Sequence, residues 1–225
     1  MAVITVSRQF GSGGDEIVEQ LCQVLGYRFF DKRMLAKAAI DAGLSDQEII
    51  DYSIENYKVK GFFERLFGRS RPIATTRVWK EGTDGTRKPE EVQLTEEHAL
   101  QLVQKAVEMA YQTGNMVIEG RGGQVLLRDR AGVLHVRIVA PMEYRIQRVK
   151  EKLHEEQNMP LDTIETRRAA QDMIEQRDAA SAAYLKTYYG VDWADPLLYH
   201  AVLNTGRISL EQAVRCITDM LIGVS

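Results

Sequence analysis

The chain carries only two cysteines in 225 residues, Cys22 and Cys216. They fall in two separate apolar, helix-like stretches, a usage that excludes a disulfide-stapled secreted scaffold and predicts small buried thiols in a reducing compartment. No apolar run approaches the roughly 18 residues that span a bilayer, and the first one, Ala2 to Val6, is too short for a signal peptide. A cytoplasmic protein with no membrane partner is expected. Basic excess is also missing: 29 Lys and Arg against 32 Asp and Glu give a formal charge of −3. That balance leaves no electrostatic footprint for a nucleic-acid polymer, although a local basic pocket stays open. The four histidines, at 98, 135, 154 and 200, are dispersed, so no zinc-type ligand cluster is visible. Nor does any G-x-S-x-G turn mark a serine nucleophile.

What is present is the balance of a soluble globular protein, 44% hydrophobic and 27% charged. The length suits one α/β domain with a lid or an insert. "AVITV" at residues 2–6 reads as a parallel strand covered on both faces. After a glycine cluster, Ile17, Val18, Leu21, Cys22, Val24 and Leu25 recur at helical spacing up to Gly26. "YRFF" predicts a short strand ending at Asp31, and residues 32–42 a helix closed by Gly43. From 45 to 94 the period is lost, and this stretch reads as a partly helical insert with a hairpin about "GTDG". A helix follows from Glu96 to Gly114, then strands at "NMVIEG" and "VLHVRIVAP" and a basic helix at "MEYRIQRVKEKLHEE". One or two helices come next, up to Tyr189, then a last strand at "HAVLNT" and a closing helix capped by Ser209. Five strands separated mostly by helices predict an open parallel three-layer sheet.

In such a sheet, residues just beyond the strands' carboxyl ends carry the chemistry. Four places qualify. In "SRQFGSGGDE" the glycines Gly11, Gly13 and Gly14 let backbone amides approach an anion at the positive end of a helix. The pattern G-x-x-x-x-G-K-[ST] is nevertheless unmet: Arg8 stands at the first glycine, Gly14 at the lysine and Asp15 at the hydroxyl residue. Arg8 is then a candidate positive charge, and Asp15 either an Mg²⁺ ligand or a first-turn acid complementing the helix dipole. Asp31 is a second place, a hydrogen-bond acceptor for substrate or a helix cap. In "VIEGRGGQ", Arg121 between Gly120 and Gly122 has room for bidentate phosphate recognition, and Glu119 either orients metal-bound water or pairs with Arg121. The fourth is a basic set, Arg145, Arg148, Arg167, Arg168 and Arg177 beside Asp178. It is read either as a solvated face or as lid arginines that neutralise transition-state charge.

Taken together, "ITVSRQFGSGGDEIVEQL", "YRFFDKRML", "VIEGRGGQVLLRDRAGVLHVRIVAPMEYRIQRV" and "YLKTYYGVDWADPLLYHAVLNTGRISLEQAV" resemble the cytidylate kinase-like family of P-loop nucleoside monophosphate kinases. The resemblance spans most of the chain outside residues 45–94. It implies one kinase-like domain over 1–225 with strand order 2-3-1-4-5, an acceptor-side insert at 45–94 and a helical lid at 145–190. It further implies Mg²⁺-dependent transfer of the γ-phosphoryl of ATP to a nucleotide substrate such as CMP or dCMP. By position, Gly11, Ser12, Gly13, Gly14 and Asp15 would hold ATP, and Asp31, Gly120, Arg121 and Gly122 would face the acceptor. Arg8, Arg121, Arg177 and Asp178 would be the catalytic set, with Asp15 and Glu119 on the metal. The chain departs from cytidylate kinases where they carry Lys and Ser or Thr at positions 14 and 15 and Asp at 122. Ser181 stands at a usual lid arginine, and His200 at a usual aspartate. These departures keep two alternatives in view, a nucleotide-binding regulator without transfer and a dimeric interaction scaffold. A homodimer would use insert aromatics such as Tyr52, Tyr57, Phe62, Phe63, Phe67 and Trp79, unless these form the acceptor-side core.

Overall fold

The computed structural model describes residues 2–30, 74–81, 87–94 and 96–223. The chain divides into two compact units, residues 1–29 with 114–225, and residues 30–113. The first contains a five-stranded sheet built from β1 (Val3–Arg8), β2 (Arg28–Phe29), β5 (Met116–Glu119), β6 (Val133–Val139) and β7 (Ala201–Asn204). All its pairings are parallel and the order is β2-β5-β1-β6-β7. Counted along the chain within this sheet, that is 2-3-1-4-5, the order implied by the resemblance.

β1 sits in the middle because five of its six residues are buried, as a strand covered on both faces requires. The two-residue period of a strand sorts its side chains. Ile4 and Val6 join Ile17, Val18 and Leu21 of α1 (Gly14–Leu25) and Ala213, Val214, Ile217 and Leu221 of α6 (Leu210–Ile222) in one core. Thr5 and Ser7 point to the opposite face, where Gly123 opens the short helix α3 (Gly123–Leu126) close to the Thr5 methyl. The core thus lies on the α1 and α6 side, and the polar residues of β1 lie on the other.

Helix α6 begins with a reciprocal capping box, Ser209 accepting from Gln212 N–H while the Gln212 side chain accepts from Ser209 N–H. Such a cap contributes about 1 kcal/mol. The expectation of buried thiols fails at Cys216, which is exposed, while Cys22 is half-buried. Helical steps of 100° that bury Ala213 and Ile217 turn position 216 outward. The stretch 164–189, read as one or two helices, is a single helix α5 (Ile164–Tyr189). It holds neither Gly nor Pro, Thr163 caps its start, and Gly190 ends it in the left-handed region at φ 67°. With α4 (Met142–Gln157) it encloses a second apolar cluster of Phe10, Ile146, Val149, Leu153, Ala170 and Ile174.

The second unit contains an antiparallel pair, β3 (Ala74–Glu81) and β4 (Arg87–Leu94), flanking "GTDGT" as the turn chemistry predicts, and helix α2 (Glu96–Thr113). Trp79 lies on β3. Asp31, the helices expected within residues 32–57, and Tyr52, Tyr57, Phe62, Phe63 and Phe67 lie outside the described residues. Among the described residues, no helix is long and apolar enough to cross a membrane.

Candidate functional site

The carboxyl end of β1 runs into the glycine loop and α1. Gly11 and Gly13 take φ 78° and 79°, a region L-residues avoid. Space forbids a side chain at both: a Cβ on Gly11 would lie 2.9 Å from Val149 Cγ2, and one on Gly13 2.6 Å from Leu210 Cδ2. Gly13 is the N-cap residue of α1 and no side chain caps that end, so its first-turn N–H groups keep their positive end for an anion. The loop is anchored from below by Thr205 Oγ1, which donates to Ser12 O at 2.6 Å. Ser12 itself is fully buried, and its hydroxyl has no hydrogen-bond partner among the described residues.

Arg8 crosses this loop. A Cβ on Gly14 would lie 2.6 Å from Arg8 Cβ and 2.7 Å from its Cδ. The arginine stem therefore occupies the space that a side chain at position 14 would need. Its head divides between two carboxylates: Nε pairs with Asp15, and Nη2 lies 2.5 Å from Glu119 Oε1. Sequence reasoning offered Arg121 as the partner of Glu119, but the ion pair runs to Arg8. Arg121 contributes a weaker attraction. Burial pushes the Glu119 carboxyl above the usual carboxylate range, and Arg8 opposes that shift while Asp15 adds to it.

After β5 the chain makes a left-handed turn in which Gly120, Arg121 and Gly122 have φ of 66°, 58° and 72°. A non-glycine residue in this region carries strain of about 1 kcal/mol or more, and such strain clusters at ligand-binding sites. The ring of Tyr189, the last residue of α5, covers Gly122, where a Cβ would lie 2.8 Å from Tyr189 Cε2. The Tyr189 hydroxyl lies 3.3 Å from that of Tyr184.

α5 also reaches the glycine loop. Asp178 Oδ1 accepts from Phe10 N–H at 2.9 Å and Oδ2 from Arg145 Nη1 at 2.6 Å. Arg145 is 5% exposed, so the sequence reading of it as part of a solvated face does not hold. From the residue before Asp178, the Arg177 guanidinium sits 5.0 Å from the centre of the Phe10 ring. Burial and the positive Arg8 lower its pKa, with Asp15 opposing. Arg177 makes no ion pair among the described residues, and its Nε has no hydrogen-bond partner there. The rest of the basic set disperses: Arg148 pairs with Glu16, and Arg167 with Glu143 through 2.7 and 2.9 Å bonds. Ser181 folds back onto Arg177 O at 3.1 Å.

On the sheet face opposite the α1 core lies a polar network with no counterpart in the sequence reading. Ser7 Oγ accepts from Trp193 Nε1 at 2.7 Å and from the Tyr199 hydroxyl at 3.3 Å. Arg137, 4% exposed, lies 4.2 Å over the Trp193 ring and donates to Trp193 O and to the Tyr199 hydroxyl. This cation is held by ring faces and oxygen dipoles. Beside it, His135 meets Thr5 Oγ1 through Nδ1 at 2.7 Å and stacks on His200 at 5.1 Å. His200 Nδ1 accepts the His135 backbone N–H at 2.8 Å, so the imidazole at this unusual position serves as a backbone acceptor.

Of the predicted residues, Arg8, Gly11 to Asp15, Glu119, Arg177 and Asp178 thus converge at the carboxyl ends of β1 and β5 and the side of α5, with the Gly120–Arg121–Gly122 turn following β5 directly. Asp31 lies outside the described residues. Missed were Tyr189, Trp193 and Arg137, and the burial of Arg145 against Asp178. Only the bare Gly122 hinted that another side chain covers it.

The family model for the cytidylate kinase-like family matches residues 3–207, and the chain belongs to that family. A cytidylate kinase from Aeropyrum pernix is 30% identical over 106 residues, covering 47% of this chain and 55% of that protein, so the matching stretch spans about half its length. Among solved structures, a protein from Eubacterium ventriosum shares the fold with a TM-score of 0.61 at 16% identity, over 98% of each chain.

Proposed function

We propose that this chain is a nucleotide kinase that transfers the γ-phosphoryl of ATP to a nucleoside monophosphate, CMP or dCMP. The observation that carries the proposal is the meeting of Arg8, Arg177 and the uncapped start of α1 beside two carboxylates, Asp15 and Glu119. In-line phosphoryl transfer asks a protein for position and charge neutralisation rather than covalent chemistry. The loop amides would hold the ATP phosphates, while Arg8 supplies the side-chain cation that lysine supplies elsewhere, from the space above Gly14. Arg177 brings a second cation from the lid helix, and Asp178 fixes that helix to the loop through Phe10 N–H. Arg121 in its strained turn faces the acceptor phosphate.

The donor set also fits a divalent ion. Two carboxylates already share one cation, the Arg8 guanidinium, and Mg²⁺ is commonly held by one or two carboxylates together with substrate phosphates. Asp15 and Glu119 would hold Mg²⁺, which would supply neutralisation of the charge developing on the phosphates.

The absent loop lysine and hydroxyl favour one competing reading, a regulator that binds nucleotide without transfer. A coupled assay over the common monophosphates, dCMP included, separates the two. Turnover with a cytidine nucleotide supports the kinase, whereas calorimetric ATP binding without turnover on any acceptor supports the regulator. The kinase reading carries with it a cytoplasmic location and nucleotide partners.

A further inference from the structure

We propose that Arg8 is a built-in occupant of the divalent-cation position. It holds Asp15 and Glu119 until a metal ion takes its place, and its freed head is then the cation delivered to the nucleotide phosphates. The inference rests on the kinase reading for the phosphate half of this exchange, but its metal half stands on the contacts alone.

Three features support it. First, the guanidinium is shared: its Nε pairs with a carboxylate from the first turn of α1, and its Nη2 lies 2.5 Å from a carboxylate at the end of β5. Two carboxylates around one point repel each other unless a cation stands between them. Arg8 is that cation, and no other side chain among the described residues forms an ion pair with either carboxylate. Second, the stem of Arg8 runs against the loop at Gly14, beside the start of α1. A Cβ added to Gly14 would lie 2.6, 3.2 and 2.7 Å from Cβ, Cγ and Cδ of Arg8, so the stem takes up the space beside Gly14. The head lies beyond this stem, at Asp15 in the first turn of α1 and at Glu119. Gly14 is a glycine because this stem runs over it. Third, the surroundings press the head away once its carboxylates are otherwise engaged. Arg177 is near enough for Arg8 to lower its pKa, so two like charges compete for the acid Asp15. A divalent ion on Asp15 and Glu119 would leave both arginines facing an anion rather than each other.

The exchange makes bare metal and Arg8 competitors for the same two carboxylates. The test is Mn²⁺ binding to the full chain without nucleotide, followed by the electron paramagnetic resonance signal of free Mn²⁺. Arg8→Gln is expected to bind Mn²⁺ about tenfold more tightly than the wild type, a typical size for coupling between two sites. Adding Glu119→Gln to Arg8→Gln is expected to abolish the gain. Arg8→Met, which keeps an apolar stem over Gly14, guards against a folding defect and is expected to behave as Arg8→Gln does. Unchanged or weaker Mn²⁺ binding in both Arg8 variants, with the wild-type circular dichroism spectrum retained, overturns the exchange. Tighter Mn²⁺ binding without any turnover would sustain the metal half and sink the kinase reading. Turnover without tighter Mn²⁺ binding would do the reverse.

Discussion

Arg8 combines two functions on one side chain, since its stem fills the room above Gly14 and its head neutralises Asp15 and Glu119. Replacing it by lysine keeps a charge but loses the fork that reaches both carboxylates. Arg8→Lys is therefore expected to retain more kcat than Arg8→Gln, a ranking read directly from steady-state kinetics. A second residue-scale prediction concerns His135. Burial and the neighbouring His200 hold its pKa at about 4, against an ordinary value of 6.5. The unfolded chain thus binds a proton that the native ring refuses, so this group's stability term is whole above pH 6.5 and is lost as pH falls towards 4. The shift amounts to at most about 3 kcal/mol. Urea midpoints at pH 7.5 and 5.0 should differ clearly in the wild type, and less in His135→Gln. None of these pairings was legible in the sequence. Arg145 reads as one more arginine on a charged helix, and only the fold buries it beside Asp178, with Phe10 168 residues from that aspartate.

At the scale of elements, α5 touches both the glycine loop and the turn after β5, through Asp178 at Phe10 and through Tyr189 at Gly122. Asp178→Ala would leave Arg145 buried without its carboxylate and free the Phe10 amide. A loss of about 3 kcal/mol is expected from urea unfolding, since removing one partner strands the other charge. At the other end, Gly122→Ala meets both a positive φ and the Tyr189 ring. Its melting temperature should fall by several degrees, corresponding to about 1–2 kcal/mol. Tyr189→Ala in the same chain should restore part of the loss, leaving only the backbone strain. The elements themselves were largely legible: apolar runs marked the strands, Gly26 and Gly114 the helix ends, and Ser209 the last cap. The unity of α5 was readable in principle from its freedom from Gly and Pro, but its weak apolar periodicity left the number of helices open. Exposure of Cys216 escaped the reading because a helical stretch rich in apolar residues still turns one face to water.

For the whole molecule, the parallel pairing of β1 with β5 brings their carboxyl ends together, which is why residues 8, 15 and 119 meet. Alternating strands and helices made the α/β class legible, whereas the order 2-3-1-4-5 came from the resemblance, because apolar runs do not encode which strand neighbours which. The departures at positions 14 and 122 share one physical form: a side chain is missing where another, Arg8 or Tyr189, fills the space. On this account the loop is rebuilt rather than broken. The most direct measurement is kcat with ATP, Mg²⁺ and CMP or dCMP for the wild type and for Arg8→Gln, at a temperature where circular dichroism shows both folded. Turnover in the wild type and a fall of about 100-fold in the variant are predicted, the usual cost of removing one transition-state donor. Equal turnover in the two proteins, or none in a wild type that binds ATP, would contradict it.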